Sequence, residues 1–241
     1  MEEVYALKLR IKFKKFGPVK FIGHLDVMRF FQKGLRRAEI DVAYSSGFSP
    51  HQIMSFASPL GVGLESNGEY FDVEILTPIS SQDFINKFNA VSVPWIQVTD
   101  VRLLPDKAGN AMASVAAAGY TISFREGRGL KEGWQQKFEA FMSQAKILVT
   151  KATKKGTAEI DLKPAVYEYK LLEDGIYLLV NASSEGNIKP ALVMDAFALY
   201  CGEELAENAL NITREETYGS KIDRDGKERF IPLADFGEWM E

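Results

Sequence analysis

The chain has 241 residues, of which 46% are hydrophobic and 26% are charged, and its formal net charge is −4. This composition is typical of a globular protein without membrane helices, because no apolar run approaches the roughly 20 residues that a membrane helix needs. The single cysteine, Cys201, excludes an intrachain disulfide and a three-cysteine iron–sulfur cluster within these residues. We therefore expect a cytoplasmic protein that does not enter a membrane.

The first half of the chain alternates between strand and helix patterns. The first strand pattern alternates apolar and polar residues, and the first helix pattern carries apolar residues at helical spacing. In chain order the predicted elements are a strand at 4–15, a helix at 23–40, a loop at 41–51, a strand at 52–58, a glycine-rich turn at 60–68, a strand at 69–76, a helix at 80–91 and a strand at 94–104. This order, βαββαβ, is that of the ferredoxin-like motif.

The second half repeats the same order without repeating the sequence. The segment 105–117 is rich in small residues, which indicates a flexible linker. The predicted elements after it are a strand at 118–126, a helix at 130–144, a strand at 146–153, a hairpin at 167–183, a helix at 189–200 and a strand at 209–219. The sequence therefore predicts an α+β protein of two ferredoxin-like halves with antiparallel sheets. The predicted domains are 1–108, 109–218 and an irregular acidic tail at 219–241.

The charge is distributed unevenly along the chain. Residues 1–60 hold ten Lys and Arg against five Asp and Glu, whereas residues 201–241 hold five against eleven. The first helix concentrates the positive charge on one exposed face, at Arg29, Lys33, Arg36 and Arg37. The loop that follows adds aromatic residues and a histidine, at Tyr44, Phe48 and His51. Cations next to aromatics grip phosphates and stack bases, so this cluster predicts RNA contact; the alternative is a solvated helix face.

Other candidate chemistry is less specific. His24 and His51 are the two histidines, and with Asp26 or Glu69 they could form a metal site, but no spacing demands one. His24 could instead have a structural role, or act as a general acid or base oriented by Asp26. We predict no metal and no cofactor.

Three further features have ordinary explanations. Cys201 is expected to be a packing residue. The glycine-rich turn lacks the lysine and the helix of a phosphate-binding loop, so Gly61, Gly63 and Gly68 are expected to supply positive φ angles; backbone amides lining a groove are the alternative. Lys151, Lys154 and Lys155 form a smaller basic patch, expected to be a solubilising hairpin or a second RNA contact.

Residues 8–76 resemble the radical-SAM-linked protein family, a domain of unknown function found beside, or fused to, a radical SAM enzyme. The matching positions are Gly23–Asp26, Arg29, Arg36–Ala38, Tyr44–His51, Leu60–Gly63 and Gly68–Tyr70. Gly23 departs from the family's serine and Ser49 from its asparagine. The resemblance implies a radical SAM enzyme as partner, since this chain lacks the cysteines for the cluster.

These observations give one leading hypothesis and two alternatives. The leading one is an RNA-binding accessory protein that presents substrate to a separate radical SAM enzyme. Its predicted substrate-binding residues are Arg29, Arg36, Arg37, Tyr44, Ser45, Phe48, His51 and Glu69. The alternatives are a metal-independent RNA-processing or RNA-modifying enzyme with His24, His51 and Asp26 as catalytic candidates, and a protein-interaction module whose basic face meets an acidic protein.

Overall fold

A computed structural model describes residues 6–153 and 156–241 of the chain, with backbone alone at 151–153. The predicted patch at Lys151, Lys154 and Lys155, and the first two residues of the predicted first strand, lie outside the described side chains. The protein is mixed α+β, with five α-helices and a large, mostly antiparallel sheet among the described residues. No helix in that part of the chain is both long and apolar enough to span a membrane.

The elements are numbered in chain order. The helices are α1 (His24–Arg37), α2 (Ser81–Val91), α3 (Ala111–Ser114), α4 (Trp134–Ser143) and α5 (Pro190–Tyr200). The strands are β1 (Leu7–Lys15), β2 (Met54–Phe56), β3 (Glu65–Ile75), β4 (Ile96–Leu103), β5 (Ala117–Phe124), β6 (Leu148–Thr153), β7 (Gly156–Asp161), β8 (Val166–Leu172), β9 (Gly175–Asn181), β10 (Leu210–Ile222) and β11 (Glu228–Pro232).

The chain divides into two compact units, and the division differs from the predicted domains. The first unit comprises the residues up to Ala116 together with Arg214–Glu241, and the second comprises Ala117–Thr213. The segment 219–241, expected to be an irregular tail, contains the end of β10, all of β11 and a 3-10 turn at Leu233–Phe236. The two ferredoxin-like halves stay a prediction, because the boundary between the units falls inside β10 rather than between two complete halves.

In the first unit the strands lie in the order β4-β1-β3-β10, with β2 on β3 and β11 on β10. The odd-numbered side chains of β1 and β3 face a core that α1 and α2 help to form. In that core Phe31 of α1 stacks on Phe88 of α2 with ring centroids 5.1 Å apart. Gly34 faces the same ring, since a Cβ at Gly34 would lie 2.8 Å from the Phe88 side chain. Packing density, rather than helix propensity, therefore requires a glycine inside α1.

The opposite face of β1 is also covered, and there the contacts are ionic. Arg10 is 1% exposed and binds both carboxylate oxygens of Asp72, at 2.8 and 3.1 Å. Its remaining donors reach the carbonyls of Leu233 and Gly109 and the hydroxyl of Ser114. The C-terminal segment and the predicted linker thus complete the first unit.

The second unit contains a sheet in the order β5-β9-β8 and a separate two-stranded sheet, β6-β7. The predicted hairpin turn joins β8 to β9 at Glu173 and Asp174. Helices α4 and α5 pack through Phe138 and Phe197, with ring centroids 4.8 Å apart. Cys201 caps the end of α5, where burial raises the pKa of its thiol and so disfavours a reactive thiolate.

Candidate functional site

Helix α1 carries its basic residues on the exposed surface, as the helical spacing predicted. Arg29 pairs with Asp26 one turn earlier at 3.4 Å, and both side chains are more than 60% exposed. Arg36 donates to the Gln32 carbonyl and Arg37 to the Val91 carbonyl, each at 3.3 Å. Neither guanidinium has a carboxylate partner among the described residues, so both present charge to solvent.

The loop after α1 forms a closed hairpin at residues 44–52. Its base is a bridge between Tyr44 and Gln52, next to a 2.8 Å hydrogen bond from the Ser45 N–H to the His51 carbonyl. The Ser45 Oγ lies 2.8 Å from His51 Nδ1 and also accepts the His51 backbone N–H at 3.1 Å. Gly47 adopts a φ of +109°, which lets the chain turn at the tip. Tyr44 is half exposed and Phe48 fully exposed, so the loop offers two aromatic faces to solvent.

One carbonyl joins this loop to the basic helix. The Gln32 carbonyl of α1 accepts a hydrogen bond from Arg36 Nε and another from Gln52 Nε2, both at 3.3 Å. Gln52 Nε2 also lies 3.5 Å from the Tyr44 hydroxyl. The structure therefore places the helix cations beside the base of the aromatic loop. These roles of Gln32 and Gln52 were not predicted, because neither a backbone carbonyl nor an uncharged amide side chain leaves a pattern in the sequence.

His24 lies apart from this surface feature. It is the first residue of α1, and its ring packs edge-on against Phe56 with centroids 5.2 Å apart. No hydrogen bond joins His24 to His51 in the described part of the chain, and the ring of His51 is engaged by Ser45. Asp26 pairs with Arg29 and makes no described hydrogen bond to His24. No group of three His, Cys, Asp or Glu side chains among the described residues could hold a metal ion.

Glu69 belongs to the surroundings of His24 rather than to the basic surface. It is 6% exposed and lies on β3, where Arg214 Nη1 donates to its Oε1 at 2.7 Å. The same Arg214 nitrogen donates to the Ser58 carbonyl at 2.9 Å. Lys15 is also close, since its charge lowers the pKa of His24 and the charge of Glu69 raises it; burial lowers that pKa most. Glu69 is thus a buried ionic residue, and its predicted role in substrate binding stays a prediction.

Lys15 and Arg214 were not predicted to be buried charges, although the sequence indicates this for both. Lys15 continues the odd-numbered apolar stripe of β1, after Leu9, Ile11 and Phe13, and Arg214 similarly follows Ile212 in β10. A cation at the end of a buried stripe predicts a buried charge, which needs a partner.

The glycine-rich turn differs from its prediction at two of three positions. Gly63 has a φ of +89°, whereas Gly61 and Gly68 do not have positive φ angles. Gly68 is required for another reason, since a Cβ there would lie 2.6 Å from the Glu216 Cα on the neighbouring strand. The predicted turn at 60–68 therefore contains one left-handed residue, Gly63, and overlaps the start of β3, where Gly68 permits a close backbone approach.

Comparison with known proteins identifies the family of this chain. A family model described as "Uncharacterized protein conserved in bacteria (DUF2344)" matches residues 8–190, more than half of the chain. The match includes the α1 basic face, the 44–52 loop, Lys15 and Glu69, and it ends before Arg214. No curated protein matches the chain.

Proposed function

The chain belongs to the DUF2344 family of uncharacterized bacterial proteins, and from this premise we propose that it binds single-stranded RNA and presents it to a separate radical SAM enzyme. The proposed interface is the basic face of α1 together with the aromatic loop at 44–52. The RNA part of the proposal rests on the Gln32 carbonyl. This carbonyl accepts hydrogen bonds from both Arg36 and Gln52, so Arg36 lies beside the base of the loop.

The chemistry of the two parts is complementary. Exposed guanidiniums without carboxylate partners neutralise phosphates and release counterions, which gives affinity that depends on salt. Exposed aromatic rings stack on bases, and unpaired bases are available only in single strands. Tyr44 and Phe48 supply such rings on the loop whose base is joined to α1 through the Gln32 carbonyl.

Salt-dependent binding of a fluorescent single-stranded RNA tests the interface. We expect the double variant Arg36→Ala, Arg37→Ala to bind more weakly and to lower the slope of log K against log salt by about 1.4, because each lost phosphate contact removes about 0.7. We expect Phe48→Ala to weaken binding roughly 5- to 150-fold with little change in slope, because a stacked base contributes about 1–3 kcal/mol.

The matched control is Lys131→Ala, Lys137→Ala, which removes two exposed positive charges from the second unit. It is expected to bind RNA as the parent does. Absence of RNA binding by the parent, or equal losses in the two double variants, contradicts the proposed interface. A parent that co-purifies with an acidic protein after nuclease treatment supports the protein-interaction alternative instead.

The radical SAM partner is supported by the motif resemblance at residues 8–76 and by the cysteine count. One cysteine cannot ligate an iron–sulfur cluster that needs three, so the cluster would come from another polypeptide or domain. Size-exclusion chromatography of the chain with a radical SAM enzyme encoded beside it, under anaerobic conditions, is expected to give a complex. Separate elution at micromolar concentrations, with and without RNA, would remove this part of the proposal and leave the RNA interface standing.

A further inference from the structure

A cavity of about 400 Å³ opens in the first unit, next to the face of β1 that carries Arg10. The predicted linker forms one wall of the cavity, and the C-terminal segment contributes Ser220 and Phe236. The volume lies within the range of small-molecule sites in proteins, which is about 300–1,000 Å³. Two segments that the sequence predicted to be irregular therefore enclose a space large enough for a small organic ligand.

The charged residues that line this cavity are cations. Arg10 lines its buried end, where Nη2 donates to the carbonyl of Gly109, another lining residue, at 3.4 Å. Lys107 lines the same space and is exposed. Asp106 and Asp235 adjoin lining residues in the chain, but both are exposed and neither lines the cavity. Within the described part of the chain the lining is therefore complementary to a negatively charged ligand.

The carboxylate of Asp72 does not neutralise the buried end completely. It binds Arg10 at 2.8 Å and also lies 3.9 Å from the Lys8 ammonium, so one carboxylate faces two cations. Glu74 is opposite Lys8 in the strand register, but no ion pair joins the two in the described structure. Lys8 donates to the Ala108 carbonyl at 3.3 Å, which places the excess positive charge beside the cavity wall. Because Arg10 and Asp72 are 1% and 2% exposed, salt screens this charge weakly.

A backbone donor also faces the cavity. The Asp223 N–H donates to the Lys227 carbonyl at 2.8 Å, which sets the alternation of the β10–β11 ladder. Ser220 lies three residues earlier, at a position whose N–H points away from β11. The Tyr218 carbonyl points to the same side and accepts the N–H of Ala116, which lines the cavity. No carbonyl of the described linker accepts the Ser220 N–H, so this N–H can donate to a ligand.

The remaining wall is apolar. Phe236 supplies an aromatic ring, and the Lys221 ammonium lies 4.6 Å from the centroid of that ring. The ring packs closely on β10, since a Cβ at Gly219 would lie 2.7 Å from it. An aromatic wall beside a cationic end fits an anionic group attached to an apolar body. The aliphatic lining residues are Pro105, Ala108, Ala113, Val115 and Ala116.

We propose that this cavity binds a small organic anion. Its anionic group, a carboxylate or a phosphate monoester, lies at the end formed by Arg10 and Lys107 and accepts the Ser220 N–H. Its apolar body packs against Phe236. The helix α1 packs on the other face of β1, so the site is separate from the proposed RNA interface and does not depend on RNA binding.

The experiment is a titration of the ¹⁵N-labelled full chain, followed by NMR at constant ionic strength and pH. The probes are phenyl phosphate and benzoate, which carry the two candidate groups on an aromatic ring, and benzyl alcohol, which is neutral. Saturable shifts of the Lys107, Gly109 and Ser220 amide signals are expected with at least one anion, and the tighter anion identifies the group. Benzyl alcohol is expected to bind at least about tenfold more weakly, because it makes no charge-assisted hydrogen bond.

Substitutions test the position of the anion. Lys107→Ala is expected to weaken binding of the tighter anion at least about tenfold, because one cation of the lining is lost. Lys87→Ala is the matched control, since it removes an exposed lysine of the same unit that does not line the cavity. It is expected to bind the anion as the parent does. The Arg36→Ala, Arg37→Ala variant is also expected to retain anion binding.

The absence of saturable shifts with both anions would overturn the proposal, whatever the variants do. Equal affinity for benzyl alcohol and the anions would overturn it as well, and so would equal anion affinity in Lys107→Ala and the parent. Shifts confined to the amides of α1 would mean that anions bind the basic helix face instead of the cavity. Because the parent titration needs no substitution, a variant that fails to fold does not prevent a decision.

Discussion

Arg10 and Lys15 are two buried cations on β1 that differ in how many polar partners they have. Arg10 is 1% exposed and has a bidentate carboxylate, two carbonyls and a hydroxyl as partners. Lys15 is 2% exposed and has one carbonyl. Four residues of one strand therefore separate a cation with a full set of partners from a cation with one.

The difference separates a fully paired buried cation from a partly paired one. A satisfied ion pair such as Arg10–Asp72 joins β1 and β3 to the C-terminal segment, and its partners account for its burial. The Lys15 ammonium has one carbonyl as its hydrogen-bond partner within the described residues, so its burial is less well compensated and is expected to lower stability. Substitutions at the two sites should therefore change stability in opposite directions.

The largest effect is expected from Asp72→Ala, which leaves the Arg10 guanidinium buried without a carboxylate. Breaking a buried pair in this way costs about 3–5 kcal/mol of unfolding free energy. Urea denaturation followed by circular dichroism measures the loss. The control Asp26→Ala breaks an exposed pair with Arg29 and is expected to cost less than about 1 kcal/mol. Similar losses in the two variants would mean that the Arg10–Asp72 pair stabilises the fold no more than an exposed ion pair does.

A smaller effect of opposite sign is expected from Lys15→Met. Methionine has a similar length and carries no charge, so the unfolding free energy should stay equal or rise by about 1 kcal/mol. The same urea denaturation measures it. A loss of more than about 2 kcal/mol would show that Lys15 stabilises the fold as Arg10 does, and the contrast between the two cations would fail.

The smallest effect concerns the titration of His24 beside Lys15. Burial, and then the Lys15 charge, lower the pKa of His24 below its ordinary value of 6.5, while Glu69 opposes the shift. The neutral ring therefore contributes stability that is present above about pH 6.5 and is lost as the pH falls through the lowered pKa. NMR titration of the His24 ring should show this lowered pKa, and Lys15→Met should raise it towards 6.5. An unchanged His24 pKa in that variant would mean that the two groups are not coupled.

The first half of the chain was the more predictable part. Alternation along β1 and 3–4 spacing along α1 are local patterns, and both elements formed where these patterns placed them. Helix α1 ends at Arg37 rather than at residue 40, because Glu39 adopts a left-handed φ of 53° that ends helical geometry. The exposure of Arg36, Arg37 and Phe48 also followed from local pattern.

The pairing of distant residues was not predictable in the same way. Glu69, predicted from the sequence to bind substrate, pairs with Arg214, which lies 145 residues later in the chain. The predicted linker and tail likewise supply Gly109 and Leu233 as partners for Arg10. No local period encodes such contacts, since they depend on which strands become neighbours.

The sequence by itself determined the alternating elements, the basic and aromatic composition of the first sixty residues, and the absence of a three-cysteine site. Local periodicity is enough for these features, because each depends on residues within a few positions of one another. Only the tertiary structure decided that Arg10 is satisfied and Lys15 is not, and that Gln32 joins α1 to its loop. The partners of a buried charge come from remote segments of the chain. The environments of Arg10 and Lys15 therefore differ only once the sheet has assembled.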